Sequence, residues 1–296
     1  MIRERSLGYR IIDAFIYFVL ALILLTCILP FIREISISLS GRTAVLADRV
    51  GLFPIDLTFD NYGAIIAKDQ FTRSFLVSIV RVIVAVPLTL LVVVLTAYPF
   101  AMERTYLPGR RTFMVIMIFV NMFQVGLIPR YLSYVNLGLI DNFAVLILPL
   151  LLNTFNVILT INFFKGIPFE LVESAMLDGA THGDILFKVL VPLSKPVLAT
   201  LSLFTFVHHW NSWFDGIIYL RNITYRPLQS YLYTMLTSQQ VSSEYASYRF
   251  SGRWPNVSPK GAEASMVLFA ILPVLVLYPF LQRYIISGMT LGAVKQ

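Results

Sequence analysis

Apolar residues in this chain run in long unbroken blocks, with little of the alternation expected of strands. The blocks are Ile11 to Ile32, Phe75 to Met102, Thr112 to Ile128, Phe143 to Phe164, Pro196 to Leu220 and Ala262 to Ile286. A hydrocarbon layer about 30 Å thick takes roughly 20 such residues in a helix. Backbone polar groups inside lipid need internal partners, and helices supply them. The pattern predicts an all-α membrane protein: six transmembrane helices in a single transmembrane domain over residues 1–296.

Composition strengthens that expectation. Of 296 residues, 57% are hydrophobic and 13% charged, whereas a soluble domain carries about 25% charged residues. Arg3, Arg5 and Arg10 before the first block imitate a secretory signal, but the apolar run is too long and no A-x-A site follows. "LLTC" faintly resembles a lipoprotein signal, yet Leu25 and Thr26 fit it poorly and the run continues past Cys27; an anchor helix is expected. Cys27 is the single cysteine, so an intrachain disulfide is excluded.

An even number of spans puts both termini on one side. The N-terminal tail and the connection Glu103 to Arg111 each hold three arginines, against Arg130 alone in the short hairpin Pro129 to Asn142. The positive-inside rule then predicts cytoplasmic termini. A net charge of +7 spread around lipid-spanning helices does not suit nucleic acid. No phosphate-binding G-x-x-x-x-G-K-[ST] loop occurs. No metal-ligand spacing occurs either: His208 and His209 are adjacent, so on a helix they point about 100° apart.

The segment Lys165 to Lys195 departs from the apolar pattern and is placed on the cytoplasmic side. Pro168 suits a first helical turn, and Glu170 and Glu173 lie near the positive end of the helix dipole. Ala175 and Gly179 are four apart and share a face. Gly183 and Asp184 read as a stop and a new N-cap; Pro192 and Pro196 break the second helix. A short helix, a turn and a second short helix follow. From the residues alone, an ordinary interfacial connection and a docking element both remain open.

These residues resemble the permease subunits of ATP-binding-cassette importers, whose signature is E-A-A, three residues, G, nine residues, I-x-L-P. Here it reads Glu173-Ser174-Ala175, Gly179 and Val189-Leu190-Val191-Pro192. "DGA" at Asp178 to Ala180 and "PLSKP" at Pro192 to Pro196 are similar to the carbohydrate branch. So are "HWNSWFDGIIYL" (His209 to Leu220) and "SGMTLGAVKQ" (Ser287 to Gln296). More narrowly the chain resembles the subgroup handling large or acidic saccharides such as alginate.

The resemblance implies a type I importer permease fold whose coupling segment, residues 165–195, seats in a cytoplasmic ATPase subunit. Glu173, Ala175, Asp178, Gly179, Ala180 and Pro192 are the implied coupling residues, with Glu173 facing a cation of the ATPase. It also implies a second homologous permease, two ATPase subunits, an external solute-binding protein and a bacterial inner-membrane location. The chain would be non-catalytic and bind no cofactor; ATP and magnesium would sit on the partners.

Polar residues inside spans are candidates for the solute path: Asn153 and Asn156 on one face of the fourth span, and Trp210, Asn211 and Trp213 near the end of the fifth. Amides suit hydroxyls and carboxylates, and aromatic faces suit sugar rings; interhelical packing is the alternative. Asn121 and Gln124 pair similarly in the third span. Arg81 either snorkels to the outer surface or faces a watery cavity. His208 and His209 either meet an anionic solute or are satisfied interior histidines.

The loop Arg221 to Lys260 carries five basic residues against Glu244 alone. Its Leu228, Tyr231, Leu232, Met235 and Leu236 predict a short helix on the membrane surface. Tyr248, Arg249, Arg253 and Trp254 are candidates for external docking of an acidic partner. The function expected is a saccharide importer permease. The alternatives are a permease for a peptide or polyol, and an ion-driven secondary transporter, which the near absence of carboxylates inside the spans disfavours.

Overall fold

The computed structural model describes residues 7–102, 109–123, 125–237 and 253–293, and every regular element among them is helical. Among the described residues three helices are long and apolar without a break: Leu7–Ser38, Asp69–Ala101 and Pro259–Ala293. Three bent pairs make up the rest, so up to six spans are present if each pair crosses once.

The bends follow local chemistry. In place of a helix running to Ile128 and a hairpin after it, Arg110–Met122 stops early and a second helix, Leu127–Asn136, fills the stretch read as hairpin. Gly126 is extended at its N-cap, and Pro129 sits in its first turn, where no N–H partner is lost. The block Phe143 to Phe164 is likewise interrupted: 3-10 turns at Phe143–Leu146 and Leu148–Leu150 precede the helix Thr154–Lys165 at 46°. Pro149 cannot donate to a regular ladder. The Asn142 side chain accepts from the Ala144 amide, and Asn153 caps the next helix.

The fifth block gives the helix Lys195–Asn211, an extended Ser212 and a new short helix Phe214–Ile218. Here a glycine is demanded by space. A Cβ on Gly216 would stand 2.2 Å from Ser230 Oγ, and that hydroxyl donates to the Trp213 carbonyl at 2.7 Å.

The chain forms two compact units. One comprises Met1–Asp69 with Thr234–Ile271. Its first helix is apolar all round and exposed along its span, the pattern of a helix solvated by lipid. Ala44, Val45 and Val50 form a small core, and buried Asn61 donates to the Ser38 carbonyl at 2.9 Å while accepting from the Ser258 amide at 3.2 Å. The other unit, Gln70–Tyr233 with Leu272–Gln296, holds the main core. The end of the long helix Asp69–Ala101 packs there with Val172, Ile185 and Leu190 of the signature segment.

The helix Leu228–Thr237 forms, and its first turns pack on protein. Leu228, Tyr231 and Leu232 are buried in protein, the Leu228 amide donates to Ser78 Oγ at 2.8 Å, and Tyr231 meets Phe71 edge-on. Periodicity identifies an apolar face without revealing what covers it.

Candidate functional site

The signature segment forms an elbow with two arms. The first arm, Phe169–Leu177, closes in a Schellman motif: the Ala180 amide donates to the Ala175 carbonyl at 2.9 Å and the Gly179 amide to the Met176 carbonyl at 3.1 Å. Gly179 has φ +81° with open space where a Cβ would point. Its absent side chain therefore serves the left-handed backbone, and it leaves no bare face shared with Ala175, which packs toward the core beside Ala180.

The stop is thus at Gly179, in place of Gly183, and the new N-cap is Thr181, in place of Asp184. The Thr181 hydroxyl accepts from the Asp184 amide at 3.2 Å, and the Asp184 carboxylate accepts from the Thr181 amide at 3.1 Å. This capping box defines the arm; Gly183 lies inside it because φ is positive at Gly179 and ordinary at 183. Lys188 also pairs with Asp184. That hydrogen bond, then those from Thr181, hold the carboxyl at about 2, below its ordinary 3.8.

The second arm starts at His182 and continues as a π-turn at Ile185–Leu190, where the Val191 amide donates to the Leu186 carbonyl five residues back. Pro192 has no N–H for the Lys188 carbonyl, so a regular ladder cannot continue. At buried Ser194 the chain turns 81° into Lys195–Asn211.

What the elbow presents is mixed in chemistry. Val172, Ile185, Leu186 and Leu190 face the core. Glu173, Asp178, Gly179 and Pro192 are exposed. Between them an apolar ridge stands free: Leu177 is 85% exposed, with Leu171, Met176 and Phe187 also exposed. Sequence reading missed this ridge. Its only signal was a leucine immediately before an Asp-Gly turn, where a solvated loop has no use for one.

The second site is buried. Arg81 is 0% exposed and neither snorkels nor faces water. Its guanidinium forms an ion pair with Asp215, donates to the Leu146 carbonyl at 3.1 Å, and donates from Nε to His209 Nδ1 at 3.2 Å. An Arg N–H can only donate, so His209 accepts as a neutral ring with its proton on Nε2. The Leu146 carbonyl is available because the chain is in a 3-10 turn there. One guanidinium therefore ties the long helix Asp69–Ala101 to the two broken segments. Sequence reading treated Arg81, His209 and Asp215 separately, since residues 128 and 134 positions away leave no local trace.

The remaining candidates separate. Asn153 is an N-cap, its side chain accepting from the Asn156 amide at 3.2 Å, so it shares no helical face with Asn156, which is buried. Trp210 is buried, stacked on Phe206 at 5.9 Å and edge-on to Phe75. Asn211 and Trp213 are exposed, and the Trp213 ring stacks on Tyr233 at 4.1 Å. Asn121 and His208 are exposed. Arg253 is exposed with its guanidinium carbon 5.9 Å from the Trp254 ring centroid. Tyr248, Arg249 and Gln124 lie outside the described residues. Among the described residues no group of His, Cys, Asp and Glu could hold a metal.

The long apolar helices, the broken spans and the exposed elbow are those of a membrane permease of the type I importer fold, as the family match over residues 62–291 shows. The chain belongs to the family described as binding-protein-dependent transport system inner membrane component. It is similar to the polygalacturonan/rhamnogalacturonan transport system permease protein YtcP of Bacillus subtilis (strain 168), 35% identical over 97% of this chain and 99% of the relative. It is also similar to the trehalose transport system permease protein SugB of Mycobacterium tuberculosis (strain CDC 1551 / Oshkosh), 30% identical over 90% of this chain and 92% of that one.

Among solved structures it resembles a bacterial ABC transporter involved in the import of the acidic polysaccharide alginate. The TM-score is 0.89 at 32% identity, covering 95% of this chain and 99% of that one. An alginate ABC transporter in complex with alginate pentasaccharide-bound periplasmic protein matches at TM-score 0.52 and 17% identity over 94% and 96% of the chains, a likeness of fold alone.

Proposed function

We propose that this chain is a permease subunit of an ATP-driven importer for an oligo- or polysaccharide, with an acidic saccharide such as alginate or polygalacturonan as the leading solute. The likeness to YtcP and to the alginate transporter supports the solute class. In this reading the chain is non-catalytic and binds no cofactor. It pairs with a second permease to form the path, and two ATPase subunits on the cytoplasmic side bind ATP and magnesium. Both termini are cytoplasmic, and a solute-binding protein docks on the opposite side near Arg253 and Trp254.

The observation that carries the coupling role is the elbow: rigidly capped, apolar beneath, and showing Leu177 beside Glu173 and Asp178 on its free surface. ATPase closure moves the elbow, and the spans alternate between inward-open and outward-open states. Asn156, Asn211, Trp210 and Trp213 are the candidate path residues, with Asn153 shaping the helix start beside them.

Proteoliposome uptake of alginate and polygalacturonate oligosaccharides tests the reading. Uptake is expected only with the ATPase subunits and ATP; transport on an ion gradient without them would overturn it. Glu173→Lys is expected to weaken ATPase co-purification about thirtyfold, the size of one mispaired interface charge, with membrane insertion unchanged.

A further inference from the structure

The elbow has to be joined to the spans by something that transmits displacement. Its apolar side shares a core with the end of the helix Asp69–Ala101: Ile185, Leu186 and Leu190 belong to one buried cluster with Val94, Ala97 and Ala101. Dispersion contacts of that kind are non-directional, so two packed surfaces can slide in shear. A hydrogen bond weakens steeply when its angle changes and resists sliding. One such bond sits at this junction. Tyr98 is buried one turn before the helix ends, with its Oη 2.7 Å from Nδ1 of His182. Their rings meet edge-on at 5.9 Å. His182 is the first residue of the second arm, directly after the capping Thr181, so the bond grips the arm at its capped end. Pro99 follows Tyr98 within the helix, and a proline there frees the carbonyl four residues earlier from the ladder.

We infer that Tyr98 and His182 are positioning residues that make the elbow and the end of the helix Asp69–Ala101 move as one body. The inference rests on the elbow being the ATPase-docking element. The hydrogen bond fixes the direction of the push, and the surrounding apolar core supplies the adhesion. Loss of the bond leaves docking and ATP hydrolysis in place and lets the elbow slip against the helix.

The test uses the whole importer in proteoliposomes with alginate and polygalacturonate oligosaccharides as probes, and variants Tyr98→Phe, His182→Ala and His182→Asn. Asn places an amide near the position of Nδ1. Solute moved per ATP is expected to fall about five- to tenfold in Tyr98→Phe and His182→Ala, the size of one hydrogen bond's contribution, with ATPase co-purification kept. His182→Asn is expected to restore most of it. An unchanged ratio, or a parallel loss of ATPase association, would overturn the inference.

A solute-independent reading uses spin labels at the exposed Lys188 of the elbow and Leu95 of the helix in a Cys27→Ser background. Their separation is expected to stay constant on adding ATP and vanadate in the parent chain and to change in Tyr98→Phe. Identical behaviour in both chains, or a changing separation in the parent, would sink the proposal. Failure of the docking reading shows separately, as ATPase association indifferent to Glu173→Lys.

Discussion

Two ion pairs in this protein have similar partners and opposite consequences. Arg81 and Asp215 lie inside the main core, with side chains 0% and 14% exposed. Asp184 and Lys188 lie on the elbow, with Lys188 77% exposed. The buried guanidinium has exchanged its hydration for Asp215, His209 and the Leu146 carbonyl, so removing any partner strands the rest. The exposed pair competes with water at every moment and holds little beyond its own helix turn. The interior pair fixes which broken segments touch the long helix. The surface pair trims a cap.

Removing one member of each pair separates them most sharply. Arg81→Ala leaves the largely enclosed Asp215 carboxylate, 14% exposed, without its cation, a change that costs up to about 3–5 kcal/mol when the charge is fully buried. The expected outcome is a large fall in detergent thermal stability and little folded protein in the membrane. Arg81→Ala with Asp215→Ala is expected to recover part of that loss, and additive losses in the double variant would deny that the two act as a pair. Arg81→Lys is expected to fall between, since an ammonium cannot reach three acceptors in fork geometry.

A smaller effect belongs to the elbow's backbone. Gly179→Ala meets no steric obstacle but forces a side chain into φ +81°, at about 1 kcal/mol. Thermal stability should fall slightly, with ATPase association falling more, because the turn sets the angle between the arms. The smallest effect is expected for Lys188→Ala, with uptake and stability both unchanged within error. In the parent chain the Asp184 cap titrates. Its carboxyl is depressed to about 2 from 3.8, so the cap is complete above the ordinary carboxylate range and is lost as pH falls through about 2. Amide hydrogen exchange at Thr181 and Asp184 should stay fully protected down to about pH 3.8, weaken below it, and open only as pH falls through about 2; protection lost at neutral pH would contradict the capping box.

The elbow was largely readable because its determinants are local. Pro168, the Glu173 signature, Gly179 and Pro192 act on their own backbone or the next turn, and spacing preserves them. The N-cap was misread by a few residues because Gly183 and Gly179 look alike in sequence; only φ distinguishes a left-handed glycine from one within a helical arm. The Leu177 ridge went unseen because exposure is a property of the folded surface. The broken third and fourth blocks were read as continuous because hydropathy sums over a window, while Gly126 and Pro129 in the third, and Asn142, Pro149 and Asn153 in the fourth, redirect the chain one residue at a time.

The sequence by itself determined that this is a helical membrane chain with one polar elbow, and that the elbow carries the importer signature. Lipid and backbone hydrogen bonding impose those features on any chain with such apolar blocks and such a proline-glycine punctuation. Tertiary structure alone decided that Arg81 meets Asp215, that Tyr98 meets His182, and that Trp210 is buried while Trp213 is not. Those outcomes depend on which helix faces approach one another, and no residue carries that information until the core has closed around it.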